Sequence, residues 1–281
     1  MSEIIFKPCS LKEMWEKMPN LPESRKYMAG GTDVVTVENA GFPSAECWID
    51  ISDIPELATV KEEKDHVFIG AGVKLNDLET YPFIKKYCPA LLAAVHDFAS
   101  PSLRNMATLG GNAGNASPCA DGVCALVSLE ATIVLRKENA ERKMPLKDFF
   151  TGPKRTKLEK DELIYGFEIP KKENLLGQYF KLGPRAFFGI SKVAVALSAA
   201  MDGNKVKYAS VAIASVAPVP LYAAKTSEYL TGKELTEDTI LKAADMARGE
   251  VSPITDARSE ADYRRDMSGI LLERALRSFL N

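Results

Sequence analysis

The sequence predicts an α+β fold. Short β-rich runs and short helical patterns mix irregularly up to about residue 170. Beyond the polar stretch Lys171 to Asn174 come two long β-compatible runs joined by a hairpin signal, and the rest of the chain then reads as helix. At 281 residues the chain is long for one average domain, so about two are expected.

Ser10 and Glu13 form a capping box, and Leu11, Met14, Trp15 and Met18 then fall on one helical face, closed by Pro19 and Pro22. Lys26 to Ala29 reads as a strand running into the glycine turn of Met28-Ala-Gly-Gly-Thr-Asp33. Ala45 to Ile51 and His66 to Ala71 are further strands, and Leu91 to Phe98 is a buried helix. Ser100 to Ser117 is the least regular, most glycine-rich stretch and reads as a long loop, which in a compact domain is usually functional. Asp121 is placed to cap a helix over Val123 to Leu129, followed by strands at Ala131 to Leu135, Glu162 to Ile169 and Gln178 to Leu182. Lys171 to Asn174 is the candidate linker. Ser191 to Met201 and Lys205 to Val216 flank the hairpin signal Asp202-Gly203-Asn204. Helices are expected at Ala224 to Leu230, from a Thr236 N-cap to Arg248, and from Asp262 to Leu280.

The 36 basic and 38 acidic residues nearly cancel, leaving no global field for nucleic acid or an anionic membrane. No apolar run is long enough to span a bilayer and no leader pattern opens the chain, so a cytoplasmic protein is expected. The five cysteines are odd in number and scattered. Cys119 and Cys124 match neither zinc nor iron–sulfur spacing, so no metal site is expected and an ordinary thiol is the simpler reading. With only His66 and His96, a His-rich metal site or a Ser-His-Asp triad is poorly supported, and no catalytic residue is assigned.

Two glycine pairs remain, Gly30-Gly31 and Gly110-Gly111, followed by Thr32-Asp33 and Asn112. Glycine lets consecutive backbone amides approach a ligand and point into one concavity, which suits a pyrophosphate. Neither pair is the G-x-G-x-x-G of a dinucleotide-binding βαβ unit; each alone is more often just a turn, and the two together with their polar followers balance that against a functional reading.

The stretches Met28-Ala-Gly-Gly-Thr-Asp33 and Ser100-Pro-Ser-Leu-Arg-Asn-Met-Ala-Thr-Leu-Gly-Gly-Asn112, with Asp121 beyond them, resemble the FAD-binding signatures of the medium subunit of the xanthine dehydrogenase and carbon monoxide dehydrogenase family, the molybdenum hydroxylases. The resemblance continues through Glu162 to Pro170, Tyr179-Phe-Lys-Leu-Gly-Pro-Arg185, Gly232-Lys233 and Asp262-Tyr-Arg-Arg265. It implies a PCMH-type FAD-binding domain over residues 1–172, built of two α/β subdomains (about 1–55 and 56–172) with the cofactor between them. A C-terminal domain of antiparallel sheet and helices over 173–281 would follow. It also implies that Tyr27, Met28, Ala29, Gly30, Gly31, Thr32, Asp33 and Val34 wrap the pyrophosphate together with Thr108, Leu109, Gly110, Gly111 and Asn112, through backbone amides and the two threonine hydroxyls, with no Lys or Arg needed. Asp121 matches an acidic residue on the sugar or adenine side, Phe98 or Ala99 and Ile164 match lining positions, and Lys181 matches a residue near the isoalloxazine ring. On residues alone, Asp121 reads as a helix cap, Ile164 as core and Lys181 as an exposed strand residue.

Departures from the family pattern carry information. Thr32-Asp33 stands where many flavoproteins of this fold carry a histidine that bonds covalently to FAD, so noncovalent FAD is expected. No four-cysteine insertion for an extra cluster is present, which leaves flavin as this chain's only redox group. Arg185 to Ile190 lacks the acidic residue often found in relatives that react with a nicotinamide nucleotide, which leaves the acceptor open. The function implied is electron transfer from the [2Fe–2S] clusters of a small partner subunit, through FAD, to an external acceptor such as NAD. Molybdopterin would sit on a large partner subunit, and the assembly would be a heterotrimer or its dimer. Two other readings stay open: a free-standing flavin oxidase or reductase, against which the scarcity of candidate bases weighs, and a non-catalytic nucleotide-binding or assembly module. Arg264, Arg265, Arg274 and Arg277 read as a partner-docking or solvated face of the last helix, and Arg104 and Asn105 as facing a ligand or serving the loop.

Overall fold

The computed structural model describes residues 4–41, 45–185 and 188–280. Its first layer is a small parallel sheet. Strand β1 (Ile4–Phe6) leads to helix α1 (Leu11–Lys17), β2 (Arg25–Met28), α2 (Val34–Asn39) and β3 (Cys47–Asp50), with β3 central in the order β1-β3-β2. The Ser10 hydroxyl accepts the Glu13 amide at 3.1 Å as expected, but the Glu13 carboxylate accepts from Cys9, one residue further out than in a capping box. Leu11, Met14 and Met18 bury themselves against Ile49, Ile51, Ile54 and Leu57, so the amphipathic stripe read from the sequence is the core face.

A second layer follows, with strands β4 (Val60–Glu62) and β5 (His66–Gly70), then helices α3 (Pro82–Tyr87), α4 (Pro89–Asp97), α5 (Pro101–Arg104), α6 (Leu109–Gly114) and α7 (Asp121–Ser128). Strands β6 (Thr132–Lys137), β7 (Ala140–Pro145), the short pair β8 (Phe150–Gly152) and β9 (Arg155–Thr156), and β10 (Leu163–Pro170) complete it. The antiparallel sheet has the order β4-β5-β10-β6-β7, and α4 and α7 lie between it and the C-terminal part of the chain. Glu162, 4% exposed just before β10, accepts both Nε and Nη2 of Arg142 on β7 at 2.5 and 2.7 Å, which holds its carboxyl below the usual range.

The expected loop from Ser100 to Ser117 is instead two short helices. Ser100 caps α5 by accepting the Leu103 amide, and Thr108 caps α6 by accepting the Gly111 amide at 3.0 Å. Low helix propensity of Gly and Asn concealed α6, which is stabilised by packing: the Leu109 and Gly110 amides donate to the Val73 and Ala71 carbonyls.

The third layer is the antiparallel sheet β11 (Leu175–Leu182), β12 (Val193–Asp202), β13 (Lys205–Ala214) and β14 (Leu221–Tyr222), covered by helices α8 (Ala224–Leu230), α9 (Glu237–Glu250) and α10 (Ala261–Arg277). Asp202 pairs with Lys205 across the hairpin, with Gly203 at φ +57°, and Thr236 caps α9, both as expected. One face of the sheet, with Val195, Leu197, Val211 and Ile213, packs on the three helices. The other presents Ala194, Ala196, Ala212 and Ala214 to the core of the second layer. Small residues permit close approach there: a Cβ on Gly177 would lie 2.2 Å from the Ala90 nitrogen.

Arg264 is neither a docking nor a solvated residue. It is 3% exposed and donates to the carbonyls of Lys192 and Ser215 and to the Asp256 carboxylate, joining both central strands to the loop before α10. No helix among the described residues is long and apolar enough to cross a membrane.

Candidate functional site

β2 delivers the chain into the first glycine turn, where Gly31 adopts φ +68°, a conformation that favours glycine. Among the described residues, the amides of Gly30, Gly31, Thr32, Asp33 and Val34 have no protein acceptor. Five consecutive donors left open at a half-exposed turn are of the kind that suits a phosphate group. The turn is pressed onto the segment that precedes the second glycine pair, and the position of a Gly30 Cβ lies 1.8 Å from the Met106 carbonyl oxygen.

The second pair behaves differently. Leu109, Gly110, Gly111 and Asn112 all donate their amides within the protein, to Val73, Ala71, the Thr108 hydroxyl and the Thr108 carbonyl. A Cβ on Gly110 would meet that of Ala71 at 2.4 Å, so this glycine serves helix packing. Of the two pairs, only the first therefore leaves its amides open among the described residues, and the Thr108 hydroxyl hydrogen can still donate. Tyr27 is turned inward, its ring in the core of the first layer and its hydroxyl 3.9 Å from the Met18 sulfur. Ile164 is buried, and its Cδ1 lies 3.5 Å from where a Gly114 Cβ would be, which places it against α6.

A second group gathers at the start of α7. Asn112 Oδ1 accepts the Val123 amide at 3.1 Å and ties the two helices together. Asp121 is not the cap of α7; it is the first residue of that helix, and its carboxylate accepts from Tyr179 Oη at 2.6 Å and Lys181 Nζ at 2.9 Å. Lys181 is not an exposed strand residue either. Its side chain is 9% exposed and also donates to the Asp97 carbonyl. Tyr179 and Lys181 share one face of β11 by the period of two, opposite Ala196 and Ala194, whose small side chains leave them room. Burial pushes the Asp121 carboxyl up, opposed by Lys181 and Tyr179, and burial together with the Asp121 charge keeps Tyr179 firmly protonated. Asp121 and Lys181 are thus direct partners in one buried cluster with Tyr179.

Phe98 and the left-handed Ala99 (φ +37°) border this group, and Arg104 Nη1 holds both of their carbonyls at 2.7 and 3.1 Å. Arg104 is thereby a residue that shapes the site. A cleft of about 230 Å³ lies here, lined by Lys181, Arg104, Arg185, His96 and Asp97 among others. Sequence reasoning missed three residues. Tyr179 was findable from its i, i+2 relation to Lys181. Asn115 and Lys154, which reach the first glycine turn, gave no signal in spacing.

Comparison with known proteins gives the assembly its family. Residues 1–172 match the family described as the FAD binding domain in molybdopterin dehydrogenase, and residues 178–279 match the CO dehydrogenase flavoprotein C-terminal domain. The chain belongs to the FAD-binding medium subunits of the molybdenum hydroxylases. This flavin subunit is 31% identical over 269 residues to the carbon monoxide dehydrogenase medium chain of Hydrogenophaga pseudoflava, covering 96% of this chain and 94% of that one. It is also 31% identical to the nicotinate dehydrogenase FAD-subunit of Eubacterium barkeri, over 93% of this chain and 90% of the relative. A solved carbon monoxide dehydrogenase from Hydrogenophaga pseudoflava superposes with a TM-score of 0.93 at 30% identity, over 99% of this chain and 96% of the other. The relatives are oxidoreductase subunits, and this subunit is one as well.

Proposed function

We propose that this subunit holds FAD noncovalently, takes electrons from the [2Fe–2S] clusters of a small partner and passes them to an external acceptor, while a molybdopterin-bearing large partner selects and oxidises the substrate. The observation that carries the reading is the run of open amides from Gly30 to Val34, together with the buried Asp121–Lys181 pair at the start of α7. FAD, when bound, supplies a group that can exchange electrons with both one-electron and two-electron partners.

The chain's own residues bind and orient. The Gly30–Val34 amides and the Thr108 hydroxyl donate to the pyrophosphate, replacing water with fixed dipoles. Phe98, Ala99 and Ile164 line the cofactor and exclude solvent. Lys181 offers a cation where negative charge would gather at the ring, and Asp121, held by Tyr179, fixes its position. No acid–base step on a substrate is assigned to this chain. Thr32 and Asp33 provide no histidine to link the flavin covalently. The segment Arg185 to Ile190 carries no carboxylate, so NAD, a ferredoxin, a quinone and oxygen all remain candidate acceptors.

The test is the complex purified with its natural partners and stripped of flavin. Substrate should still reduce the iron–sulfur clusters, whereas acceptor turnover should fall by about a hundredfold or more and return on adding FAD. Acceptor turnover that survives without flavin, or turnover of an organic substrate by this chain alone, would overturn the proposal.

A further inference from the structure

The hairpin of β8 and β9 brings a cation to the first glycine turn from a part of the sequence with no visible relation to it. Lys154 sits at the tip of that hairpin, and its amide donates at 2.9 Å to the Ala116 carbonyl, just past α6. Both residues are left-handed, Lys154 at φ +57° and Ala116 at φ +46°, a costly backbone for residues with a Cβ and one that clusters at ligand clamps. The Lys154 ammonium donates to Asp33 Oδ2 at 3.3 Å and to Asn115 Oδ1, and Asn115 Nδ2 donates to Asp33 Oδ1 at 3.2 Å. Three distant segments thus close into one ring of hydrogen bonds beside the open amides.

The electrostatics of this ring need an explanation. Asp33 puts a carboxylate, half-exposed, on a residue whose own amide is one of the open donors, where it opposes a pyrophosphate. Lys154 cancels that charge. An ammonium has three donors; two are engaged here, and among the described residues the third has no acceptor.

We propose that Lys154, steered by Asn115 and Asp33, is a further pyrophosphate-binding residue of the FAD site, reaching the cofactor beside the open amides. It rests on the proposal that FAD lies at the first glycine turn. Asp33 then sets the strength of the clamp, since any anion must compete with it for the ammonium. Lys154→Gln should weaken binding, and removing the Asp33 charge should restore it.

The experiment titrates the full-length apo-chain with FAD across a range of salt concentrations, for the wild type, Lys154→Gln, Lys154→Arg, Asp33→Asn and the Lys154→Gln/Asp33→Asn double variant. Lys154→Gln should raise Kd about tenfold and flatten its salt dependence, as expected for the loss of one charge-assisted contact. Lys154→Arg should stay within about threefold of the wild type. Asp33→Asn should recover most of the loss in the double variant, with the thermal midpoint of the apo-chain unchanged throughout. A Kd and salt slope unaffected by Lys154→Gln overturn the clamp and leave the FAD site intact. A loss accompanied by a lower apo-chain midpoint and no rescue by Asp33→Asn assigns Lys154 a structural role and overturns it too. A wild-type chain that binds no FAD overturns the underlying reading itself.

Discussion

Gly30→Ala is expected to lower FAD affinity by about a hundredfold or more, equivalent to about 2.7 kcal/mol. The added Cβ would lie 1.8 Å from the Met106 carbonyl oxygen and 2.5 Å from its carbon, backbone atoms that cannot swing aside. The Met106 side is anchored, because Leu75 donates to the Ala107 carbonyl and Leu109 to that of Val73. The glycine turn is the part that must lift, carrying its open amides out of register with Thr108. Overpacking of this kind costs about 1–3 kcal/mol in stability, so the apo-chain should still fold and the affinity can be measured. Gly249→Ala in α9 is the control: nothing among the described residues outside its own helix lies within 4 Å of the added carbon, and binding should not change. A Gly30→Ala affinity within threefold of wild type would show that the contact between the two glycine segments does not build the site.

Arg264→Ala should destabilise the chain by about 2–4 kcal/mol, from the carbonyl acceptors it leaves without a donor. The guanidinium donates to Lys192 and Ser215 carbonyls at 2.9 Å each and to Asp256 at 2.7 Å. Removing it strands the buried Ser215 carbonyl and the part-buried Lys192 carbonyl near the ends of β13 and β12 and frees the loop before α10. Asp256→Asn should cost less, because that carboxylate also accepts the amides of Arg258 and Ser259, which an amide oxygen can still do. Lysine should not rescue position 264, since one ammonium cannot reproduce the planar fork that spans three acceptors. Urea unfolding of the apo-chain measures this, and a loss below about 1 kcal/mol would return Arg264 to the solvated class.

These two residues also mark what the sequence could and could not disclose. Elements with local signals were legible: the Ser10 and Thr236 caps, the Gly203 hairpin and the amphipathic face of α1 all depend on neighbours within a few positions. Gly110 looked like a second phosphate turn because glycine in a turn and glycine against a neighbouring chain are the same letter; the Ala71 contact that separates them spans a large sequence distance. Arg264 looked solvated because its acceptors are backbone carbonyls of other strands, to which composition gives no clue. Lys154 was invisible for the same reason, while Asp121 and Lys181 became informative only once β11 laid them side by side.

The central claim is that a run of backbone amides holds the pyrophosphate of FAD, and the most direct measurement is a side-by-side titration of the apo-chain with FAD and FMN. FMN has the same ring but a single phosphate and no adenylate, so it loses the pyrophosphate bridge. FAD should bind one per chain, with FMN weaker by about a hundredfold or more. Equal affinity for the two, or no binding of FAD, would contradict the account.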